Sequence, residues 1–170
     1  MAKWGVWFAV VLISAASAMA QTILRPSSAA AAEGGSNGFW YPALAFDGDM
    51  TTPSTASPVC EAYGSESLWE IWQGFPQAPP HDSLVLKVRS QVRHEGTRVS
   101  ARLYWTDNSG TPYNIYSVNN LDRAEQTDTI ILPPTFDTTK LGVSALVTCA
   151  ARDAYAWGEM NIYEIWVEVY

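Results

Sequence analysis

The sequence predicts an all-β fold of seven or eight short strands, packed as a sandwich or closed as a barrel. From Phe39 onward, apolar and polar residues alternate in several segments, and no segment sustains the 3.6-residue period of a helix. Connections that contain glycine and proline separate the alternating segments. At 170 residues with 48% hydrophobic side chains, the chain is long enough for one domain with a buried core.

The clearest candidates for neighbouring strands are residues 84–89 and 99–105. Apolar residues alternate in both segments, and a turn-like segment separates them. We expect a hairpin in which Val88 faces Leu103 on the buried side. Further strands are predicted at 68–72, 113–118, 127–132, 141–149 and 162–170.

The charge of the chain argues against one class of partner. Acidic residues number 17 and basic residues 10, and the formal net charge is −7. Proteins that bind phosphate backbones cluster lysine and arginine on their surface. We therefore expect no nucleic-acid partner.

The first twenty residues have the pattern of a secretory signal peptide. Lys3 supplies a positive start, residues 4–13 are apolar, and an A-x-A pattern at 18–20 predicts cleavage before Gln21. An uncleaved N-terminal anchor is the alternative. No later segment is hydrophobic enough to span a membrane after cleavage. We therefore expect a secreted protein, extracellular or periplasmic.

The segment that follows, residues 21–38, is rich in serine, alanine, glycine and proline. This composition is typical of a flexible leader or linker. The domain is therefore predicted to occupy residues 39–170.

The two cysteines, Cys60 and Cys149, are predicted to form a disulfide, because an exported protein folds in an oxidising compartment. In the chain-entropy model, a bridge that closes a loop of about 90 residues contributes about 4 to 5 kcal/mol. Two buried free thiols are the alternative. Two cysteines are too few for a zinc site of four thiolates.

One acidic segment is a candidate calcium site. Asp47, Gly48 and Asp49 place two carboxylates around a glycine, and the hydroxyl of Thr52 follows. Calcium takes six to eight oxygen ligands, and a tight loop can supply several of them from neighbouring residues. The alternative is an Asp-Gly turn that ends a strand.

Residues 45–52 read A-F-D-G-D-M-T-T. They resemble the A-x-D-G-[DN]-x-x-T signature of galactose-binding-like domains, namely the discoidin or coagulation-factor type C domains and their carbohydrate-binding-module relatives. The segment 161–167 is similar to the last strand of that family, and a strand containing Trp69 follows the acidic loop as it does there. The resemblance implies an antiparallel jelly-roll β-sandwich of about eight strands.

The resemblance also implies a structural calcium ion between the acidic loop and the last strand. The ion would tie the two segments together and stabilise the closure of the sandwich. The implied ligands, through side-chain or backbone oxygens, are Leu44, Asp47, Asp49, Thr52, Tyr163 and Glu164.

A carbohydrate site on such a sandwich is expected among exposed aromatic side chains, whose faces stack on the apolar side of a sugar ring. For any one aromatic, a place in the core is the alternative, and we assign Trp69 to packing or to covering a strand face. The predicted ligand-binding residues, in loops or at strand edges, are Trp40, Tyr41, Arg152, Tyr155 and Trp157.

No motif for an enzyme is present: the sequence lacks a G-x-S-x-G elbow, an H-E-x-x-H helix, a P-loop and a Rossmann glycine pattern. We therefore predict a secreted, calcium-stabilised, lectin-like module that binds a carbohydrate or a cell-surface polysaccharide. The alternative is an extracellular structural or assembly subunit. In that hypothesis the sandwich packs against copies of itself or a protein partner, and the leader serves as a tether or a donated segment.

Overall fold

The computed structural model describes residues 21–31, 38–96, 98–151 and 155–170. Over these residues the protein is a sandwich of two antiparallel β-sheets with eleven strands. The predicted all-β antiparallel sandwich is confirmed, with more strands than the eight expected. The predicted signal peptide, residues 1–20, lies outside the described residues.

Four short strands that the sequence pattern did not predict come first. They are β1 (Thr22–Leu24), β2 (Ser28–Ala31), β3 (Ser54–Ala56) and β4 (Val59–Cys60). All seven predicted strands follow, namely β5 (Ser65–Gln73), β6 (Leu84–Glu95), β7 (Val99–Thr106), β8 (Pro112–Asn119), β9 (Arg123–Leu132), β10 (Gly142–Ala150) and β11 (Ala156–Val169). Two 3₁₀ helices lie at Pro42–Phe46 and Thr138–Lys140.

The six-stranded sheet is built around β11, the longest strand. One edge of β11 pairs with β6 along most of its length, and β9 pairs with the far edge of β6. The other edge of β11 pairs with the three short strands β1, β3 and β4 at successive positions. The five-stranded sheet has the order β2-β5-β10-β7-β8.

The core lies between the two sheets and is formed by alternate residues of the long strands. Leu84, Leu86 and Val88 of β6 are fully buried, as their alternation predicts. The five-stranded sheet contributes Leu68, Trp72, Ala101, Leu103, Val143, Ala145 and Val147 to the same cluster. Burying each leucine or valine side chain stabilises the fold by roughly 1.5 to 3 kcal/mol.

The predicted hairpin between β6 and β7 is wrong. The two strands follow each other in the chain but belong to different sheets. Val88 pairs with Ile165 of β11, and Leu103 pairs with Ala145 of β10. Both side chains are nevertheless buried, because each faces the same core from its own sheet.

The flexible leader predicted for residues 21–38 is also wrong in its first part. β1 pairs with the end of β11, and β2 pairs with β5 as the edge of the other sheet. Both sheets therefore take strands from residues 21–31. Residues 32–37 lie outside the described part of the chain.

A β-bulge interrupts β11 at Tyr163. The pairing register with β6 shifts between Ile162 and Glu164, so that Ile162 and Ile165 both reach the core although they are three residues apart. The Tyr163 hydroxyl donates to the side-chain oxygen of Gln91 at 3.3 Å. The register shift also sets the direction of the Glu164 side chain, which contacts the acidic loop.

The predicted disulfide is present. Cys60 of β4 and Cys149 of β10 are bonded, with their Cα atoms 6.1 Å apart. Because β4 belongs to the six-stranded sheet and β10 to the five-stranded sheet, the bond joins the two layers.

Among the helices that the structure describes, none is long and apolar enough to cross a membrane.

Candidate functional site

Two of the aromatics predicted to bind a ligand precede the first 3₁₀ helix. Trp40 is 60% exposed and forms an isolated β-bridge with Thr55. Tyr41 is 76% exposed and has a left-handed backbone, with φ of 51°. Both rings are open to solvent, as predicted for these positions.

The other predicted aromatics lie at the start of β11. Tyr155 is 52% exposed. Trp157 is half-buried, and its Nε1 donates to the Ser57 hydroxyl at 2.8 Å. This hydrogen bond holds the indole against the segment between β3 and β4. Arg152, the fifth predicted residue, lies outside the described residues.

The structure does not bring these aromatics together. Thr55, the bridge partner of Trp40, pairs with Asn161 of β11, whereas Trp157 lies four residues earlier on that strand. Four residues of an extended strand span about 13 Å. The predicted residues therefore form two separate patches, and sugar binding by either patch stays a prediction.

The acidic loop is held by hydrogen bonds within itself. The Asp47 Oδ1 accepts from the backbone N–H of Asp49 at 2.7 Å. The Asp49 carboxylate accepts from the backbone and hydroxyl of Thr51 at 2.8 and 2.6 Å, and from the Thr52 hydroxyl at 3.2 Å. The hydrogen bonds from Thr51 hold the pKa of Asp49 below its usual value.

The loop also meets the last long strand, as the resemblance implies. Glu164 of β11 is 0% exposed, and its Oε2 accepts from the backbone N–H of Gly48 at 3.2 Å. Its Oε1 accepts from Nε of Arg25 at 2.5 Å. Burial raises the pKa of Glu164, and the hydrogen bond and charge of Arg25 act in the opposite direction.

The six implied calcium ligands are thus only partly gathered. Asp47, Asp49, Thr52 and Glu164 lie at or against the loop, but an arginine contacts the Glu164 carboxylate. Within the described ranges, no group of three or more His, Cys, Asp or Glu side chains is arranged to hold a metal ion. Calcium at this loop, with the Leu44 and Tyr163 carbonyls, stays a prediction.

A further candidate site lies on the outer face of the five-stranded sheet. Trp69 of β5 and Tyr104 of β7 flank an open depression of about 300 Å³. Trp69 is 44% exposed and Tyr104 is partly exposed. The other lining residues are Pro112, Ser144 and Leu146. We call this surface the sheet-face groove.

Strand pairing explains how these residues meet. Leu146 of β10 is the cross-strand neighbour of Trp69, and Ser144 is the cross-strand neighbour of Tyr104. In each strand, side chains two residues apart point to the same face. β10 therefore supplies the floor of the groove, and β5 and β7 supply its two aromatic walls.

A second depression of about 490 Å³ continues on the same face. Its lining includes Ile71 of β5, Thr106 of β7 and Gly142 of β10, each two residues along its strand from a residue of the first depression. Gly142 has no side chain, and its backbone packs closely against Thr106, since an added Cβ would lie 2.7 Å from the Thr106 hydroxyl. The groove therefore extends along the direction of the strands.

We assign Trp69 from the sequence to packing or to covering a strand face, and the structure places it on the outer face of the sheet, beside the groove. The sequence contained a signal for its exposure, because Trp69 and Trp72 are three residues apart and must face opposite sides of one strand. Trp72 is fully buried, and its Nε1 donates to the Pro42 carbonyl at 2.9 Å. With Trp72 in the core, Trp69 has to face outward.

Comparisons with known proteins find solved structures that match this chain, and three of them follow. The chain is similar to chitosan-binding module 1, derived from a chitosanase/glucanase from Paenibacillus sp. IK-5, with 18% identity, a TM-score of 0.39 and coverage of 84% of this chain and 95% of that chain. It is similar to CBM32-1 from a family 31 glycoside hydrolase from Clostridium perfringens, with 12% identity, a TM-score of 0.34 and coverage of 86% and 96%.

The third is a structure of the infectious bursal disease virus Gx strain, with 12% identity, a TM-score of 0.35 and coverage of 71% of this chain and 32% of that chain. No protein-family model and no curated protein sequence matches the chain.

Proposed function

We propose that this protein is a non-catalytic carbohydrate-binding module and that its site is the sheet-face groove. The observation that carries the proposal is the placement of two partly exposed aromatic side chains, Trp69 and Tyr104, on either side of an open depression. An aromatic ring offers a flat apolar face to the C–H groups of a sugar. The Ser144 hydroxyl on the floor supplies a polar group that can orient the sugar hydroxyls.

The shape of the groove favours part of a polymer over an enclosed small molecule. Small-molecule pockets are usually concave cavities of about 300 to 1,000 Å³ that bury most of their ligand. Here the two depressions lie side by side on an open sheet face. A chain of sugar units can cross such a surface without ending in it.

Export belongs to the same proposal. The Cys60–Cys149 disulfide supports an oxidising compartment, where such bonds persist. The predicted signal peptide supports the same route. Calcium has no part in the proposal, because Arg25 contacts the carboxylate that the ion would need.

The alternative hypothesis, an assembly subunit, has less support for the role that it gives to the leader. That hypothesis used the leader as a tether or a donated segment, but β1 and β2 pair within their own chain. Self-association through another surface remains an outcome that the mass of the protein in solution would reveal. A sugar-binding oligomer would still fit the main proposal.

The test is a glycan and polysaccharide panel with the chain from Gln21 to Tyr170, the form expected after cleavage. We expect a saturable hit that the Trp69→Ala variant weakens by roughly tenfold or more, since a loss of about 1.4 kcal/mol of contact with the indole face raises the dissociation constant tenfold. Ile131→Ala is the matched control, because Ile131 is an exposed apolar side chain on β9 of the other sheet. A blank panel with folded protein would contradict the proposal.

A further inference from the structure

We propose that the saccharide in the sheet-face groove is anionic and that Arg102 recognises its carboxylate groups. This inference rests on the proposed function, and it names the class of sugar. It starts from the charge of the groove, which differs from the charge of the rest of the protein.

The described residues that line the groove include no acidic side chain. The chain has 17 acidic and 10 basic residues, yet among the residues that the structure describes no aspartate or glutamate lines either depression. Lys140 lines the far end of the second depression. An anionic ligand would therefore meet no carboxylate wall in the groove, although the protein as a whole is acidic.

Arg102 lies beside the two aromatic walls. It is exposed on β7, two residues before Tyr104, and therefore faces the same side of the sheet. Leu146 is the cross-strand neighbour of both Arg102 and Trp69, so the two residues are two strands apart. Two strand spacings correspond to about 10 Å between their backbones. A sugar that stacks on Trp69 can place a substituent at Arg102.

The guanidinium of Arg102 is available for a ligand. It forms no hydrogen bond or ion pair with any other residue that the structure describes. The six-stranded sheet differs, because there Arg89 pairs with Glu125 and Lys87 pairs with Glu168. A free guanidinium binds a carboxylate with two parallel hydrogen bonds, which a hydroxyl cannot match.

The test compares oligomers of a hexuronic acid with oligomers of the corresponding neutral hexose, at equal chain length. We expect the acidic oligomer to bind at least tenfold more tightly. Arg102→Gln should remove this difference by lowering the affinity for the acidic oligomer at least tenfold, and Arg102→Lys should keep part of the difference. Arg93→Gln is the control, because Arg93 is an exposed arginine on β6 of the other sheet.

The outcomes separate this inference from the proposed function. Equal binding of both oligomers, or an Arg102→Gln variant that keeps the preference, would overturn the acidic ligand. If Trp69→Ala still weakens binding at least tenfold in that case, the groove as a sugar site stands. If neither oligomer binds and the glycan panel is also blank, the result counts against the acidic ligand and against the proposed function.

A different observation carries a second inference: the geometry points to the Arg25 guanidinium as the cation that ties the acidic loop to β11. The resemblance places calcium between these segments, and Arg25 lies there, with Nε 2.5 Å from Oε1 of Glu164. A Cβ added to Gly48 would lie 3.5 Å from Nη2 of the same arginine. The guanidinium thus contacts Glu164 of the last strand and lies beside Gly48 of the acidic loop.

The residues do not fit a calcium ion in this arrangement. Both oxygens of Glu164 are used, one by Arg25 and one by the backbone N–H of Gly48. The Asp49 carboxylate accepts from Thr51 and Thr52. Calcium needs six to eight oxygens directed at one point, whereas these oxygens face hydrogen-bond donors.

The test is the melting temperature of residues 21–170 with EDTA and with added calcium. We expect no change in either condition. Arg25→Met should lower the melting temperature by on the order of 5 °C, because it leaves the buried Glu164 carboxylate unpaired. Arg25→Lys should lower it less, and Arg25→Met with Glu164→Gln should recover part of the loss. Arg93→Met is the control for removing an exposed arginine.

Two results would overturn the second inference. One is a rise in the wild-type melting temperature with calcium that Glu164→Gln abolishes. The other is an Arg25→Met variant with the wild-type melting temperature. Circular dichroism of each variant at low temperature reports whether it is folded before heating.

Discussion

The ammonium group of Lys87 on β6 lies 2.7 Å from Oε2 of Glu168 on β11, near the end of the chain. Glu168 is almost fully buried, and it also accepts from Nε1 of Trp166 at 3.1 Å and from the hydroxyl of Tyr170 at 2.6 Å. Burial raises the pKa of Glu168, but the hydrogen bonds from Lys87, Tyr170 and Trp166 outweigh it and lower the pKa to about 2. The charged form is therefore the one that stabilises the fold.

This pKa predicts how stability depends on acid. Because the pKa in the folded state is below the unfolded value of about 4.3, the contribution is fully present above that value and is lost as the pH falls toward 2. A shift of this size corresponds to roughly 3 kcal/mol. We expect Glu168→Gln to be less stable at pH 7 and to lose less stability than wild type between pH 5 and pH 2. Urea unfolding between pH 7 and pH 2 measures the free energy of unfolding of both proteins. The same dependence on pH in wild type and in the variant would contradict the prediction.

The disulfide predicts sensitivity to reduction. Cys60 and Cys149 are 89 residues apart and join the two sheets. The chain-entropy model gives about 4 to 5 kcal/mol for such a loop. We expect a Cys60→Ser, Cys149→Ser double variant to unfold at a melting temperature lower by on the order of 10 °C. Calorimetry of the double variant and of the reduced wild type should agree, and an unchanged melting temperature in both would count against this role.

The turn between β6 and β7 predicts an intolerant glycine. Gly96 has φ of +86°, and a Cβ there would lie 2.8 Å from the carbonyl oxygen of Tyr155 and 3.0 Å from Cα of Ala156. Because these contacts are backbone atoms, they cannot move aside as a side-chain end can. We expect Gly96→Ala to lose about 1 to 3 kcal/mol in urea unfolding. Gly110→Ala is the control, since Gly110 also has positive φ but an added Cβ there would meet open space. Equal losses of stability in the two variants would mean that the backbone angle, and not the close contact, causes the effect.

The seven long strands could be predicted because alternation is a local property. A strand with one face in the core repeats apolar residues with period two, and β6 does so from Leu84 to Val88. Its partners could not be read in the same way. Val88 and Leu103 are both inward-facing, and this holds whether the strands pair in one sheet or face each other across the core. Alternation therefore predicted burial correctly and pairing incorrectly.

The short strands could not be predicted because their partners form them. β1 has three residues and β2 has four, too few to show a period. Their backbones pair with the long strands β11 and β5, which are already held by the core. The serine- and alanine-rich composition of β2 is equally typical of a linker, so composition pointed the other way.

Only part of the candidate site could be predicted, because its residues come from segments that are far apart in the chain. The acidic loop and Glu164 were expected to meet, and they do, but the arginine between them comes from a segment read as a leader. Arg25 and Glu164 are 139 positions apart, and no local pattern connects them. Trp69 and Tyr104 likewise become neighbours only through β10, which pairs with both of their strands.

The central claim is that the sheet-face groove binds the sugar, and two tryptophan variants test it most directly. The measurement is calorimetric titration of the best saccharide from the panel into wild type, Trp69→Ala and Trp157→Ala. Trp69 lies in the groove, whereas Trp157 belongs to the loop patch predicted from the sequence. We expect Trp69→Ala to lose at least tenfold in affinity and Trp157→Ala to bind as wild type does. Loss of binding in Trp157→Ala with wild-type affinity in Trp69→Ala would contradict the claim and move the site to the loops.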